Sequence, residues 1–442
     1  MNEIVIVFII LFLTFSGILL GIHIGISLFF FSLIGVFILT GSFHVTSSLL
    51  GTGPFYTLFN YELCVIPLFI LMGDFIIMAK ASQDLYKAFF VLLKKVRGGL
   101  AIATVLSNAV FAALTGVSIA SAAVFSKIAL PEMERYGYDK KLTLGTIAGS
   151  SVLGMLIPPS VLFITFGIFA EESIGKLFMA GVIPGLIVTL IYTIGIKVML
   201  FFRPHLASQV IEDEDESSGG IWEILKVIRD TWGIFALILV VLGGMYAGFL
   251  TPTEAGAMGV IGSCLLAVVK GRFKFTDMYY ALRETGLVTA SFFLLFIGAQ
   301  LFSRMLAISG FPVWLTDLFL GMDVAPIVLI LMMVGVWIVL GTLIDSISIM
   351  ILTLPLMLPI VRVLEYDMIW FGVVATMSIE MGLLTPPFGM VAFVMKGTLA
   401  GKATIEDIFR GIVPFLLMLA LSVAIIIAFP VLSTWLPGIM MN

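Results

Sequence analysis

The 442-residue sequence predicts an all-α polytopic membrane protein made of two inverted repeats, each with a re-entrant helical hairpin. Three observations predict it. The chain is 61% apolar and 11% charged, with a mean hydropathy of +1.21, where a soluble domain has about 45–50% and about 25%. A set of Gly, Pro and Tyr-Asp positions returns in one register in the second half. Two long apolar segments are each interrupted near their centre by a Pro-Pro pair. Only lipid can cover so large an apolar excess, which excludes a disordered chain, a nucleic-acid-binding domain and a soluble enzyme. Cys64 and Cys264 lie singly in apolar runs, and His23, His44 and His205 are scattered, so no disulfide framework or metal-ligand spacing is present.

A span needs about 20 apolar residues. Met1-Asn2-Glu3 lacks the basic stretch that opens a cleaved leader, so 4–20 is read as a retained span. Next come 23–42 and 61–79, then 98–128 and 142–170, which are too long or too interrupted to be simple rods, and then 176–200. The series resumes with 232–250, 254–270, 286–306, the long segments 324–361 and 369–397, and 411–436. Residues 80–97 set Leu85, Phe89, Phe90, Leu92 and Leu93 among lysines, as expected of an amphipathic arm on the inner surface. Residues 201–231 hold the acidic run Glu212 to Glu216 and then Ser-Ser-Gly-Gly, as expected of a solvated linker.

Cytoplasmic loops hold an excess of Lys and Arg. With Lys80–Arg97 placed inside, all 23 basic residues except Lys176, Arg304 and Arg362 fall on that side. Two conditions follow: both termini lie outside, and 98–128 enters and leaves on one face. Length supports the second, since two crossings need about 40 residues at ~1.5 Å rise and only 29 separate Arg97 from Lys127. Gly116, between Thr115 and Ser118, sits where a half-way turn falls. The expectation is a hairpin whose tip is covered by protein or a water-filled cavity.

The repeat is read residue by residue. Ser118, Leu130, Pro131, Tyr138, Asp139, Gly154, Leu156, Pro158 and Pro159 return 228 positions later as Ser346, Leu358, Pro359, Tyr366, Asp367, Gly382, Leu384, Pro386 and Pro387. The first half begins outside and the second inside, so the repeats are inverted, and inverted repeats with broken helices are a signature of secondary transporters.

The strongest motif is Gly-x-Leu-x-Pro-Pro, at Gly154–Pro159 and Gly382–Pro387. Proline has no N–H, so within a helix it strands the carbonyl four residues earlier: those of Gly154 and Met155 in one copy, of Gly382 and Leu383 in the other. Bare carbonyls at membrane depth cost several kcal/mol each, and a cation held by carbonyls and hydroxyls would satisfy them. The partner tips are Thr115-Gly116-Val117-Ser118 and Gly341-Thr342-Leu343-Ile344-Asp345-Ser346. The first contains no acidic residue, so neutral oxygens there suit Na⁺ better than H⁺. Asp345 in the second is a cation ligand, a helix cap or a proton site. Arg304, Asp345 and Glu380 lie deep in apolar sequence, where charges by default signal function. Arg304 could pair with a substrate carboxylate or snorkel from its span end; Glu380 could pair with an arginine or line the site; Asp74, six residues before Lys80, is read as interfacial.

Together these motifs resemble the large membrane subunit of tripartite ATP-independent periplasmic (TRAP) transporters over essentially the whole length. The likeness rests on Phe111-Ala-Ala-Leu-Thr-Gly-Val-Ser118, Gly154-Met-Leu-Ile-Pro-Pro159, Gly248-Phe-Leu-Thr-Pro-Thr-Glu-Ala255 and Gly382-Leu-Leu-Thr-Pro-Pro387. The resemblance implies uptake of an organic acid such as a C4-dicarboxylate, sialic acid or another sugar acid, coupled to Na⁺, in the bacterial inner membrane. It also implies an elevator mechanism, a small four-helix membrane subunit on a separate chain, and a soluble periplasmic binding protein that delivers the substrate. Carried over by motif, one Na⁺ sits among Thr115, Gly154, Ile157 and Pro159, with Gly116 and Ser118 beside it. A second sits among Gly341, Met381, Gly382 and Thr385, with Thr342 and Pro387 beside it. Arg304, Asp345, Ser346 and Ser160 are the candidate substrate contacts. Scaffold helices are expected in 1–97 and 232–320, and a hairpin with its broken helix in 98–170 and in 324–397. The chain departs from the family at His23, where proline is usual, and at Thr115–Ser118, where adjacent serines are common. The alternatives are a cation-coupled carrier of related hairpin architecture without a binding protein, and an intramembrane enzyme. Against the enzyme, Tyr138-Asp139 and Tyr366-Asp367 lie in loops and no histidine is placed to activate a serine.

Overall fold

A computed structural model describes residues 3–207, 221–322 and 324–440, in which all regular structure is helical and no strand occurs. Among the described residues seven helices are long and apolar enough to cross a membrane. The hairpin limbs Gly99–Thr115 and Pro326–Gly341 are shorter, at 17 and 16 residues, as limbs that turn back must be.

Both hairpins form where the repeat places them. The first runs Gly99–Thr115, turns at Gly116, and returns as Ser118–Arg135. Gly116 has φ +65°, the left-handed conformation that only glycine adopts freely, and its N–H closes the preceding helix on the Ala112 carbonyl. The second runs Pro326–Gly341 and returns as Ser346–Val363, capped by Asp345, whose carboxylate accepts the Ser348 N–H at 3.1 Å.

The two Pro-Pro motifs interrupt their segments completely. The first segment is helical over Lys140–Ser151 and Leu153–Leu156, non-helical through 157–160, and helical again over Val161–Ala170. The second is helical over Met368–Leu384, breaks at 385–389, and resumes over Met390–Thr398. The halves then interlock. Val161–Ala170 packs on the returning limb of the second hairpin, Ser346–Val363, while Met390–Thr398 packs on that of the first, Ser118–Arg135. The closing helix Ile405–Ala428 likewise crosses Lys140–Ser151 of the opposite repeat.

A second set of helices flanks this unit. Ile24–Thr40 lies along Phe275–Ile308, and Val65–Met78 lies along Pro252–Val269. The expected arm is the helix Ala81–Leu93. Its buried face, with Leu85 and Tyr86, packs on the first hairpin and on Ile221–Ile238, while Leu92 stays exposed.

Several boundaries differ from the sequence reading. The linker expected over 201–231 ends early, because Ile221–Ile238 is one helix; its acidic run lies outside the described residues. Residues between the spans 23–42 and 61–79 form a helix, Phe43–Leu58, started by the Ser42 cap although Gly51, Gly53 and Pro54 disfavour it. Phe311–Leu320 is another helix that apolar length alone did not mark. The segment 286–306 begins much earlier, at Phe275, and 411–436 divides into Ile405–Ala428 and Val431–Met440 around Pro430.

Candidate functional site

Each hairpin tip meets the broken helix of its own repeat, backbone against backbone. In the first repeat, a Cβ on Gly154 would fall 2.9 Å from the Ser118 nitrogen, and one on Gly116 would fall 2.5 Å from the Pro159 carbonyl oxygen. Thr115, Gly116, Ser118, Gly154 and Pro159 are thereby gathered, with Ile157 extended between them. In the second repeat a Cβ on Gly341 would fall 2.6 Å from the Gly382 Cα. The Thr385 hydroxyl bonds the Met381 carbonyl at 2.8 Å, so Gly341, Met381, Gly382 and Thr385 are also gathered. Thr342 follows directly, its hydroxyl on the Val339 carbonyl, while Pro387 lies on the exposed side of the break. Both Pro-Pro peptide bonds are cis.

The structure corrects the count of free carbonyls. The helices end before the prolines, so these oxygens belong to helix C-termini and not to kinks within continuous helices. The Met155 carbonyl accepts the Ser160 hydroxyl, and the Gly382 carbonyl accepts the Thr385 N–H at 2.9 Å. Pro158 and Pro387 have no N–H to offer Gly154 and Leu383, so these two carbonyl oxygens lack the donor a continuing helix would supply. Two threonines match this: Thr115 at the first tip and Thr385 at the second break each spend the hydroxyl proton on the carbonyl four residues back, which leaves the oxygen's lone pairs free to accept. Neutral oxygens of this kind fit a hard monovalent cation.

Glu380 occupies the centre. It is 1% exposed, and its two carboxylate oxygens accept one hydroxyl each: Ser118 at 2.6 Å and Ser346 at 3.1 Å. These serines are repeat mates, and each is the first residue of its returning limb.

Asp345, the cap of the second returning limb, also lines a cavity of about 490 Å³ with Ser348, Ile347, Ser291 and His23. The His23 ring nitrogen Nε2 lies 2.9 Å from the Ser291 hydroxyl across that cavity. Sequence reasoning noted His23 only as a departure from its family; the available signal was a polar side chain in a turn between two apolar spans. Ser160 is fully buried and caps Val161–Ala170, with its hydroxyl on Met155. Arg304 is not brought to this cavity. It lies 13 residues beyond Ser291 on one helix, roughly 20 Å at ~1.5 Å per residue, facing Gly53 of Phe43–Leu58. Asp74, read as interfacial, accepts the Thr285 hydroxyl at 3.0 Å from within the helix Val65–Met78.

Paired hairpins closing on paired helix breaks in an inverted repeat define a secondary-transporter permease. The chain belongs to the family described as "Tripartite ATP-independent periplasmic transporter, DctM component", whose model matches residues 8–432. It is 31% identical over 391 residues to the C4-dicarboxylate TRAP transporter large permease protein DctM of Pseudomonas aeruginosa, covering 87% of this chain and 88% of that one. It is 27% identical over 388 residues to the sialic acid TRAP transporter large permease protein SiaM of Vibrio cholerae, covering 87% and 88%. Its fold is similar to that of the Alcanivorax borkumensis YdaH transporter, with TM-score 0.61, 14% identity and 90% of each chain covered. The protein is therefore the large membrane subunit of a TRAP transporter: a multi-pass inner-membrane permease, not an enzyme, that works with a smaller membrane subunit and a periplasmic binding protein.

Proposed function

We propose that this permease takes up an organic acid anion in symport with Na⁺, by an elevator motion. In this reading the interlocked hairpins and broken helices move as a transport domain against the flanking helices. A four-helix small subunit supports those flanking helices, a periplasmic protein delivers the substrate, and both termini face the periplasm. The single observation that carries the reading is the doubled meeting of tip and break. In each repeat a hairpin tip meets the end of the helix that the Pro-Pro pair breaks, beside one threonine oxygen (Thr115 on the first tip, Thr385 on the second break) and one carbonyl, of Gly154 or Leu383, whose helical donor is replaced by proline. Two Na⁺ would sit there, the first with Thr115, Gly116, Ser118, Gly154, Ile157 and Pro159, the second with Gly341, Thr342, Met381, Gly382, Thr385 and Pro387. The substrate class follows the relatives named for C4-dicarboxylate and sialic acid. In this reading Asp345 and Ser348, which line the cavity, face the substrate, Ser346 turns its hydroxyl to Glu380 instead, and Ser160 acts by holding the first break.

The test is uptake into proteoliposomes holding the permease, its small subunit and a loaded binding protein. We expect accumulation only with an inward Na⁺ gradient, and none with K⁺ in its place. Accumulation indifferent to Na⁺, or one driven by a pH gradient alone, would overturn the coupling. Locking the hairpin unit to the flanking helices by engineered disulfides should stop uptake reversibly; transport that persists when locked would exclude the elevator motion.

A further inference from the structure

Glu380 is the buried group that none of the roles above uses. Its surroundings are specific. Ser118 and Ser346 stand 228 residues apart as repeat mates, so their hydroxyls arrive at the carboxylate from opposite halves of the fold. Each opens a helix, and helix N-termini carry partial positive charge that favours a carboxylate between them. The position equivalent to Glu380 in the first repeat is Val152, which offers no second carboxylate. One acidic side chain thus bonds a serine from each half.

The same group touches the walls of both proposed ion sites. Ser118 lies against Gly154, and Met381 and Gly382 directly follow Glu380. From this we infer that Glu380 is a positioning residue that couples the two sites, so that an ion held at one tip favours binding at the other. This rests on the Na⁺ reading above. An ion that draws one tip onto its break fixes that tip's serine, and with it one carboxylate oxygen. The other oxygen is then already aimed at the second serine, so closing the second tip requires less ordering. By linkage the effect is reciprocal, and couplings of this kind change affinity by about 5–150-fold.

The experiment is the Na⁺ dependence of uptake in the reconstituted tripartite system, measured for the wild type, S118A, S346A, the double variant, E380A and E380Q. We expect a wild-type Hill coefficient above one. Each serine variant should lower it toward one and raise half-saturating Na⁺ about fivefold to tenfold, with the substrate KM at saturating Na⁺ unchanged. Because both serines act through one carboxylate, the double variant should cost no more than the worse single one. E380A should match the double variant, and E380Q, which can still bond both serines through its amide, should recover part of the Hill coefficient. Serine effects that multiply independently, or a Hill coefficient unchanged by either, would overturn the coupling even if E380A fails to fold. A wild type that needs Na⁺ but gives a slope of one would overturn the coupling and leave symport intact. Uptake without Na⁺ would overturn symport itself.

Discussion

The two Pro-Pro breaks share a motif and a register, yet they lie in different surroundings. In the first, Pro158, Pro159 and Ser160 are buried, and Thr115 at the facing tip is 4% exposed. In the second, Pro386, Pro387 and Phe388 are exposed, Phe388 at 54%, and Leu343 at the facing tip is 51% exposed. The first break is sealed by its neighbours: Ile157 fills the space over Gly185, and Gly73 of a flanking helix sits against Thr115. A repeat can therefore be symmetric in sequence while its two sites differ in access. That difference is what an alternating-access carrier needs, since exchanging the surroundings of the halves exchanges the side on which the site is open.

The largest expected effects come from the points where backbones touch. A Cβ on Gly341 or Gly382 would lie 2.6 or 2.7 Å from the other's Cα, a backbone atom that cannot rotate away. G341A and G382A should each reduce uptake by about ten- to a hundredfold, through overpacking of the kind that costs about 1–3 kcal/mol in well-packed cores. G335A, on the same limb with no atom within 4 Å of its Cβ, should transport like the wild type. G154A, at 2.9 Å from Ser118 in the sealed half, should fall between them. If G382A transports normally, the open half yields in a way the sealed half does not, and the comparison becomes one of mobility.

The next effect is on ion affinity. T385A and T115A each remove a hydroxyl oxygen at a break, and each should raise the Na⁺ needed for half-maximal uptake by about tenfold. An unchanged Na⁺ dependence in either variant removes that threonine from its site. Asp345 gives a finer test. Asn caps helices about as well as Asp, so D345N should leave thermal stability within about 0.5 kcal/mol while raising the substrate KM several-fold. An unchanged KM would reduce Asp345 to a cap.

The features that carry the function were legible because backbone chemistry fixes them locally. Pro-Pro ends a helix wherever it falls, and Gly116 marks a turn that other residues resist, so both hairpins and both breaks follow from spacing alone. Elements that depend on tertiary packing were not legible in this way. Phe43–Leu58 holds two glycines and a proline but forms against Phe275–Ile308, and Ile221–Ile238 extends into a polar stretch because Ala81–Leu93 lies beside it. The role of Glu380 was hidden for the same reason: its partners lie 262 and 34 residues away, on tips that meet only in the folded chain. Arg304 shows the converse, a charge deep in apolar sequence that the fold places on a different face from the cavity.

The smallest expected effect lies where the loops after the two broken helices differ. In the first repeat Glu172 follows Val161–Ala170, close to Asp367, Lys176 and Arg362, and Arg362 donates to the Ala170 carbonyl at 2.9 Å. In the second, Lys396 closes the corresponding loop on the Ala403 carbonyl at 2.8 Å, with no carboxylate in that bond. Burial, and then the nearby Asp367, hold the Glu172 carboxyl above its ordinary value of 4.5, with Lys176 and Arg362 opposing. The folded protein therefore holds this proton more tightly than the unfolded chain does. The resulting stability is fully present below pH 4.5 and is lost as pH rises through the raised value. Glu172→Gln cannot ionise, so its melting temperature should change less than that of the wild type just above pH 4.5, and at neutral pH it should equal or slightly exceed it. Solvent screening at this partly exposed site keeps the difference small. A Glu172→Gln variant that melts lower than the wild type at neutral pH would mean that Arg362 and Lys176 outweigh burial, making the loop an ion-paired latch between the repeats.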